Sequence, residues 1–156
     1  MKKFVAGGLL LLAGTASAHS GAVASQKGAT STFLRGRCTT LIAAGKDVTA
    51  ACSPVLVNVD YPTGASSFFF TLNNEAIVSF FGRDSSVVGD HGMRYLQRVS
   101  FKDSTPNNPS SEVSGVCTFS RPPAGPIVVD CEADSKDGPF KAVFVSDGGR
   151  PTVTRE

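Results

Sequence analysis

The amino-acid sequence predicts an all-β fold, a small antiparallel sandwich or barrel of about eight to nine strands. Runs of β-branched and aromatic residues alternate with turn signals, and no stretch of helical length repeats apolar residues at i, i+3, i+4 and i+7. Two segments, GRCTTLIAAGKDVTAAC at 36–52 and GVCTFSRPPAGPIVVDC at 115–131, carry cysteine pairs with the same spacing. The fold is therefore expected to be built from hairpins, two of them pinned by disulfides.

The first half of the chain contains four candidate strands separated by turns. The turn signals are Gly45-Lys46-Asp47, Tyr61-Pro62-Thr63-Gly64 and Asn73-Asn74. Pro54 interrupts the second candidate strand, and we expect a bulge or an edge there because proline cannot donate to the ladder. The candidate strands are 33–43, 48–59, 67–72 and 76–81.

The second half repeats this rhythm after the loop-rich segment DSTPNNPSS at 103–111. The stretch GMRYLQRV at 92–99 leaves open a short helix in an α+β fold, but Tyr95, Val99 and Phe101 fit one face of a strand better. The candidate strands are 95–101, 111–119, 126–134, 140–146 and 151–155.

The N-terminus has the three parts of a secretory signal peptide. Lys2 and Lys3 are followed by the apolar stretch 4–12 and by small residues that end at Ala18. The apolar stretch is shorter than the roughly 20 residues that span a bilayer, so no membrane anchor is expected after cleavage. The sequence therefore predicts a signal peptide of bacterial type at 1–18 and export to the periplasm or the medium.

Domain boundaries follow from the same composition changes. Residues 19–32 are small and polar and are expected to be flexible, and residues 33–156 are expected to form a single all-β domain. The similar order of strands and turns in 33–82 and 113–156 leaves open two related hairpin units joined by a loop-rich segment. Convergence of β-hairpins explains this similarity more simply.

The four cysteines are expected to form disulfides, because an exported chain is oxidised. Glycine and proline turn chemistry lies at or beside the midpoint of each Cys-bounded segment, Gly45 in the first and Ala124 in the second. Two hairpins turning there would place each cysteine opposite its partner, within disulfide range. We therefore predict Cys38–Cys52 and Cys117–Cys131; the absence of C-x-x-C argues against a redox pair or a zinc site.

Charge and composition exclude some classes of partner. Subtracting Lys2 and Lys3 from the 15 basic residues leaves 13, equal to the 13 acidic residues. The exported chain is thus neutral, and neutrality argues against nonspecific binding of nucleic acid. Eleven Phe and no Trp are more typical of a core than of a sugar-stacking surface.

Two histidines remain after cleavage, His19 and His91. No G-x-S-x-G elbow or S-x-x-K motif occurs, and no catalytic residue is assigned. His91 lies in RDSSVVGDHGM, which is expected to be a surface loop. A small hydrolase remains an alternative, and it would need a pocket that collects His91 with Ser or Asp side chains from other strands.

Cleavage after Ala18 would make His19 the first residue of the chain. A terminal histidine offers its α-amine and a ring nitrogen to one metal ion, and a second histidine, here His91, completes a T-shaped copper site. This arrangement resembles the histidine brace of secreted copper proteins and polysaccharide monooxygenases. The resemblance implies copper held by His19 and His91 in an alternative function; otherwise no cofactor is expected.

The leading functional hypothesis is an exported, non-enzymatic binding or structural module. Its expected partner is another exported protein, reached through an edge strand or an apolar patch. In the run Phe68-Phe69-Phe70, alternation along a strand places at least one ring on the face opposite its neighbours.

Overall fold

In a computed structural model, residues 27–73, 75–103, 110–120, 123 and 125–155 are described. They form ten β-strands, one 3₁₀ turn at Thr49–Ala51 and no α-helix, so the all-β prediction is confirmed. The strands are β1 (Thr30–Ala43), β2 (Lys46–Asp47), β3 (Cys52–Asp60), β4 (Ser66–Leu72), β5 (Ile77–Val88), β6 (His91–Lys102), β7 (Ser110–Ser120), β8 (Val128–Ser135), β9 (Gly138–Ser146) and β10 (Thr152–Arg155).

The sheet closes into a barrel because the two halves of β1 pair with different strands. Residues 30–35 pair with β3, and residues 36–42 pair with β9. From β3 to β9 each strand pairs antiparallel with the next, so that eight strands form the barrel. β10 pairs with residues 30–33 of β1, in line with β9, and β2 forms a short hairpin with β1. Of the two predicted architectures, the barrel is correct.

Two local predictions are wrong, and one alternative is excluded. Residues 30–32 were expected to be flexible but belong to β1, because they pair with both β3 and β10. The alternative of a short helix at 92–99 is excluded and the preferred strand is confirmed, since β6 pairs along its length with β5 and β7. For the same reason His91 is the first residue of a strand and not part of a loop, although its side chain is exposed.

Some predicted segments lie outside the described residues. These are the signal peptide, the first part of the lead-in with His19, and residues 104–109 of the loop-rich segment. The last residues of that segment, 110 and 111, belong to β7.

Alternating residues of the eight strands fill the barrel interior. Phe68 and Phe70 point inward and are buried, whereas Phe69 lies on the outer wall and is half-buried, as the alternation predicted. The rings of Phe70 and Phe80 meet edge to face at 5.7 Å, and those of Phe80 and Phe140 at 6.4 Å. This aromatic chain is the centre of the core.

The disulfides have the predicted pairing, but only one follows the predicted geometry. Cys117 and Cys131 are directly opposed in the β7–β8 ladder, with Cα atoms 4.0 Å apart, and both are fully buried. Cys38 and Cys52 lie 6.2 Å apart beyond the end of the β1–β3 ladder. In the β1–β2 hairpin, Ile42 pairs with Asp47, and this register differs by one residue from that of the β1–β3 ladder. The 3₁₀ turn at Thr49–Ala51 accommodates the extra residue.

Pro54 disturbs the sheet as predicted. The register of β3 against β4 shifts between Cys52 and Leu56, so a bulge spans the proline.

The described residues contain no helix that is long and apolar enough to cross a membrane.

Candidate binding site at one end of the barrel

One end of the barrel holds a cavity of about 220 Å³. We call this cavity the cup. It is bounded by inward-facing residues of β1, β3, β4, β6, β7 and β8 and by the segment that leads into β10. The lining residues are Thr32, Leu34, Asn58, Phe68, Arg94, Phe119, Ile127, Val129, Pro151 and Val153.

β10 builds one wall of the cup because the chain bends away from β9 and then rejoins β1. The bend is held by main-chain and side-chain hydrogen bonds: the Asp147 amide donates to the Arg35 carbonyl at 2.9 Å, and the Gly149 amide donates to Asp147 Oδ1 at 2.8 Å. After the bend, Val153 pairs with Thr32, and both residues line the cup. Val153 is 53% exposed and stands at the mouth.

The chemistry of the cup centres on Arg94. Its side chain lies inside the barrel and the residue is only 6% exposed. The guanidinium carbon lies 4.9 Å from the ring centre of Phe68 and 5.6 Å from that of Phe119. Cation–π contacts of this kind stabilise a desolvated guanidinium by up to about 2 kcal/mol each. The two rings therefore fix the position of the charge.

Polar partners approach Arg94 from β3. Nη1 of Arg94 donates to Asn58 Oδ1 at 3.3 Å, and Nη2 donates to Asp60 Oδ1 at 3.5 Å. Both contacts are longer than the ~2.7–2.9 Å of a strong charge-assisted hydrogen bond. Asn58 is held more firmly, since its Nδ2 donates to Asp60 Oδ2 at 2.8 Å. The Asp60 side chain is 45% exposed and stays in contact with water.

The wall of the cup is otherwise apolar. Among the described residues that line it, Arg94 is the only charged one, and Thr32 and Asn58 supply the polar side chains. A buried cation beside apolar walls favours negative charge nearby, because its field is screened less there than at the open surface, and Asp60 supplies part of that charge. The cup can therefore hold a small molecule that combines an apolar body with an acceptor group.

Two glycines make room for this arrangement. A Cβ at Gly92 would lie 2.0 Å from Phe119 Cζ, so the ring of Phe119 occupies the space of the missing side chain. A Cβ at Gly82 would lie 2.8 Å from Arg94 Cγ, so the arginine stem crosses the backbone there. Each glycine thus permits a close approach that any other residue would block.

Arg94 was not among the predicted site residues. The sequence interpretation placed Tyr95, Val99 and Phe101 on one face, which left Arg94 on the outer face. The register of β6 against β7 shifts between Leu96 and Arg98, so the alternation changes phase at that bulge. Tyr95 is consequently exposed, and Arg94 points inward. The sequence signal was the position of Arg94 two residues after Gly92 and two before Leu96, on the same face of the strand.

The structure places the exposed His91 outside the lining of the cup. It lines an open groove of about 420 Å³ together with Ser86 and Asp130. Within the described part of the chain, no hydrogen bond or ion pair joins the side chains of these three residues. The groove therefore collects the residue types that a hydrolase needs without linking them into a relay.

The copper alternative is not tested by the structure, since His19 lies outside the described residues. Within those residues, no group of three or more His, Cys, Asp or Glu side chains is arranged to hold a metal ion.

The Cys117–Cys131 disulfide lies in the barrel interior beside the site, because Cys117 pairs with Arg94 in the β6–β7 ladder. It braces the part of the wall that carries Arg94.

Comparison of the chain with models of protein families, with curated proteins and with solved structures gives no match.

Proposed function

We propose that this protein is an exported, non-enzymatic binding protein that holds one small ligand in the cup. The observation that carries the proposal is a buried guanidinium facing a cavity that is otherwise lined by apolar side chains. A barrel of eight strands has an interior just wide enough to be filled by side chains or to hold one small ligand. Apolar cavities with a few convergent polar groups are the usual form of a ligand site.

Export is supported by the cysteines and by the N-terminal sequence. Two disulfides are consistent with an oxidising, exported compartment. The signal peptide predicted at 1–18 points to the general secretion route of a bacterium, and the mature protein would then act in the periplasm or in the medium.

The barrel changes how a protein partner would be recognised. Closure of the sheet leaves β3–β9 paired on both edges, so β-addition to them is blocked along the paired lengths. A protein partner would have to contact a surface such as the exposed Val87, Val88 and Tyr95 of the β5–β6 hairpin. The cup offers a more specific recognition chemistry than this surface does.

The binding function can be tested on the mature, oxidised protein by following amide shifts in two-dimensional NMR. Three probes of similar size that share a phenyl ring are titrated: phenylacetate, phenylacetamide and phenethylamine. We expect at least one of them to produce saturable shifts that cluster on the residues lining the cup.

A matched pair of variants controls this experiment. Val153→Trp places a large ring at the mouth of the cup, whereas Val87→Trp places the same ring at another exposed position outside the cup lining. Val153→Trp should abolish the saturable shifts and Val87→Trp should leave them unchanged. The proposal is wrong if no probe shifts the cup residues, or if both variants behave alike.

Copper binding through His19 is decided by a separate titration. Copper is added to the mature protein and to the His91→Ala variant. A site of the brace type predicts binding tighter than micromolar that weakens in the variant. Weaker binding, or no effect of the variant, removes this alternative.

A further inference from the structure

We infer that the ligand of the cup is a small monocarboxylate with an apolar body, and that its carboxylate pairs with Arg94. The inference rests on the proposed function and names the substrate class for the same cavity. Size, charge and the direction of the guanidinium edge each support it.

The size of the cup limits the apolar body. A cavity of ~150 Å³ is sufficient to bind benzene, and the cup measures about 220 Å³. The ligand is therefore expected to be a single ring or a short branched chain with a small head group. Larger molecules would need the β10 wall, with Pro151 and Val153, to move outward.

The sign of the charge follows from Arg94. A ligand cation would be placed beside a guanidinium in a weakly screened cavity, where repulsion is strong. A carboxylate gains a charge-assisted hydrogen bond and matches the planar fork of donors on an arginine. A neutral amide can accept a hydrogen bond from the same fork but gains no charge attraction.

The direction of approach is set by the two rings. Phe68 and Phe119 lie within cation–π distance of the guanidinium. A hydrogen-bond acceptor must therefore approach the guanidinium at its edge and not at the positions that the two rings occupy. Asn58 Oδ1 lies at this edge at 3.3 Å, and Asp60 Oδ1 at 3.5 Å. A ligand carboxylate would add to this set of acceptors or replace the longer contact.

Asp60 is the natural competitor of the ligand. Its carboxylate stands half in water and keeps a 2.8 Å hydrogen bond from Asn58 Nδ2, which does not depend on Arg94. Asp60 can therefore release Arg94 without losing its better partner. This predicts that removal of the Asp60 charge tightens the binding of an anion.

The inference is tested by calorimetric titration of the same three probes against the mature protein. We expect phenylacetate to bind about 10- to 100-fold more tightly than phenylacetamide, the difference that a hydrogen bond between charged groups supplies. Phenethylamine should bind least. Equal affinity for phenylacetate and phenylacetamide would overturn the anion inference while leaving the cup as a ligand site. Failure of all three probes to bind would overturn the proposed function itself.

Two variants locate the charge that is responsible. Arg94→Gln should lower the affinity for phenylacetate to the level that the variant shows for phenylacetamide, and the two-dimensional NMR spectrum of the variant reports whether the barrel is still formed. Asp60→Asn retains the acceptor for Asn58 and should tighten phenylacetate binding several-fold, and phenylacetamide binding by less, because the amide gains no charge attraction. If Asp60→Asn weakens phenylacetate binding, Arg94 is not the group that recognises the carboxylate, and this result holds even if Arg94→Gln fails to fold.

Discussion

The two halves of the barrel interior use the same strand alternation for different purposes. In the packed half, Leu41, Val78, Phe80 and Phe140 are completely or almost completely buried and touch one another through rings and methyl groups. In the cup half, the corresponding positions carry Asn58 and Arg94 together with apolar residues such as Phe68 and Phe119, and these side chains leave a cavity between them. Among the described residues, a cavity and a buried charge occur together at the cup end of the interior. This end can bind a ligand, whereas the packed end stabilises the fold.

The largest effect is expected from truncation in the packed half. Phe140→Ala removes a ring that is fully buried and in contact with Phe80, and should lower the free energy of unfolding by about 3–5 kcal/mol. Phe119→Ala in the cup half should lower the free energy of unfolding by less, because that ring already borders a cavity. Urea unfolding of both variants measures the difference. An equal or larger loss for Phe119→Ala would contradict the division of the interior.

Removal of the disulfides should rank next and should distinguish the two hairpins. Both bridges close loops with the same sequence separation of 14, so the chain-entropy model gives about 3 kcal/mol for each. Replacement of both buried cysteines, Cys117 and Cys131, by alanine also leaves unfilled space in the core. The Cys38→Ala, Cys52→Ala double variant should therefore remain the more stable of the two in urea. The opposite order would show that the Cys38–Cys52 disulfide contributes more to stability than loop closure alone.

Gly92→Ala should damage the cup with a smaller loss of stability. The new Cβ would meet the ring of Phe119, and overpacking of this kind typically costs about 1–3 kcal/mol. The displaced ring would also lose its cation–π contact with Arg94. The affinity of the cup for the probes should therefore fall together with the free energy of unfolding. Met93→Ala, on the neighbouring outward-facing residue, is the control and should change stability by less than about 0.5 kcal/mol. Unchanged binding in Gly92→Ala would mean that Phe119 is not needed to position Arg94.

The smallest effect is expected from an exposed carboxylate at the packed end. Hydrogen bonds from Lys136 and from the Ser111 hydroxyl hold the pKa of Asp137 below its ordinary value. The carboxylate therefore contributes stability above the unfolded-state pKa of about 3.9, and this contribution is lost as pH falls through the lower folded-state pKa. The difference in unfolding midpoint between the native protein and Asp137→Asn should shrink as pH falls from 7 toward 2. A difference that grows with acidity would contradict this account.

Much of the scaffold could be predicted from the sequence because local chemistry determines it. The alternating pattern predicts strands, and the turn signals midway between cysteines predict the disulfide pairs. Pro54 predicts a bulge from its missing donor. Each of these inferences depends on residues close together in the chain, and each agrees with the structure.

The closure of the barrel and the cup could not be predicted in the same way. Closure depends on β1 leaving β3 after Arg35 and pairing with β9, a contact between distant parts of the chain. The inward position of Arg94 depends on the bulge between Leu96 and Arg98, where the alternation of β6 changes phase, and the glycines opposite it, Gly82 and Gly115, lie on other strands. The candidate site thus results from long-range register, whereas the disulfide framework results from local spacing.

The central claim is that a small carboxylate enters the cup and meets Arg94. The most direct measurement follows the side-chain Nε–H signal of Arg94 and the side-chain amide of Asn58 by NMR while phenylacetate is added. The account predicts saturable shifts of both signals with one dissociation constant, together with shifts of the amides around Phe119 and Val153. Shifts that cluster instead on the outer groove around His91, with Arg94 and Asn58 unchanged, would contradict it.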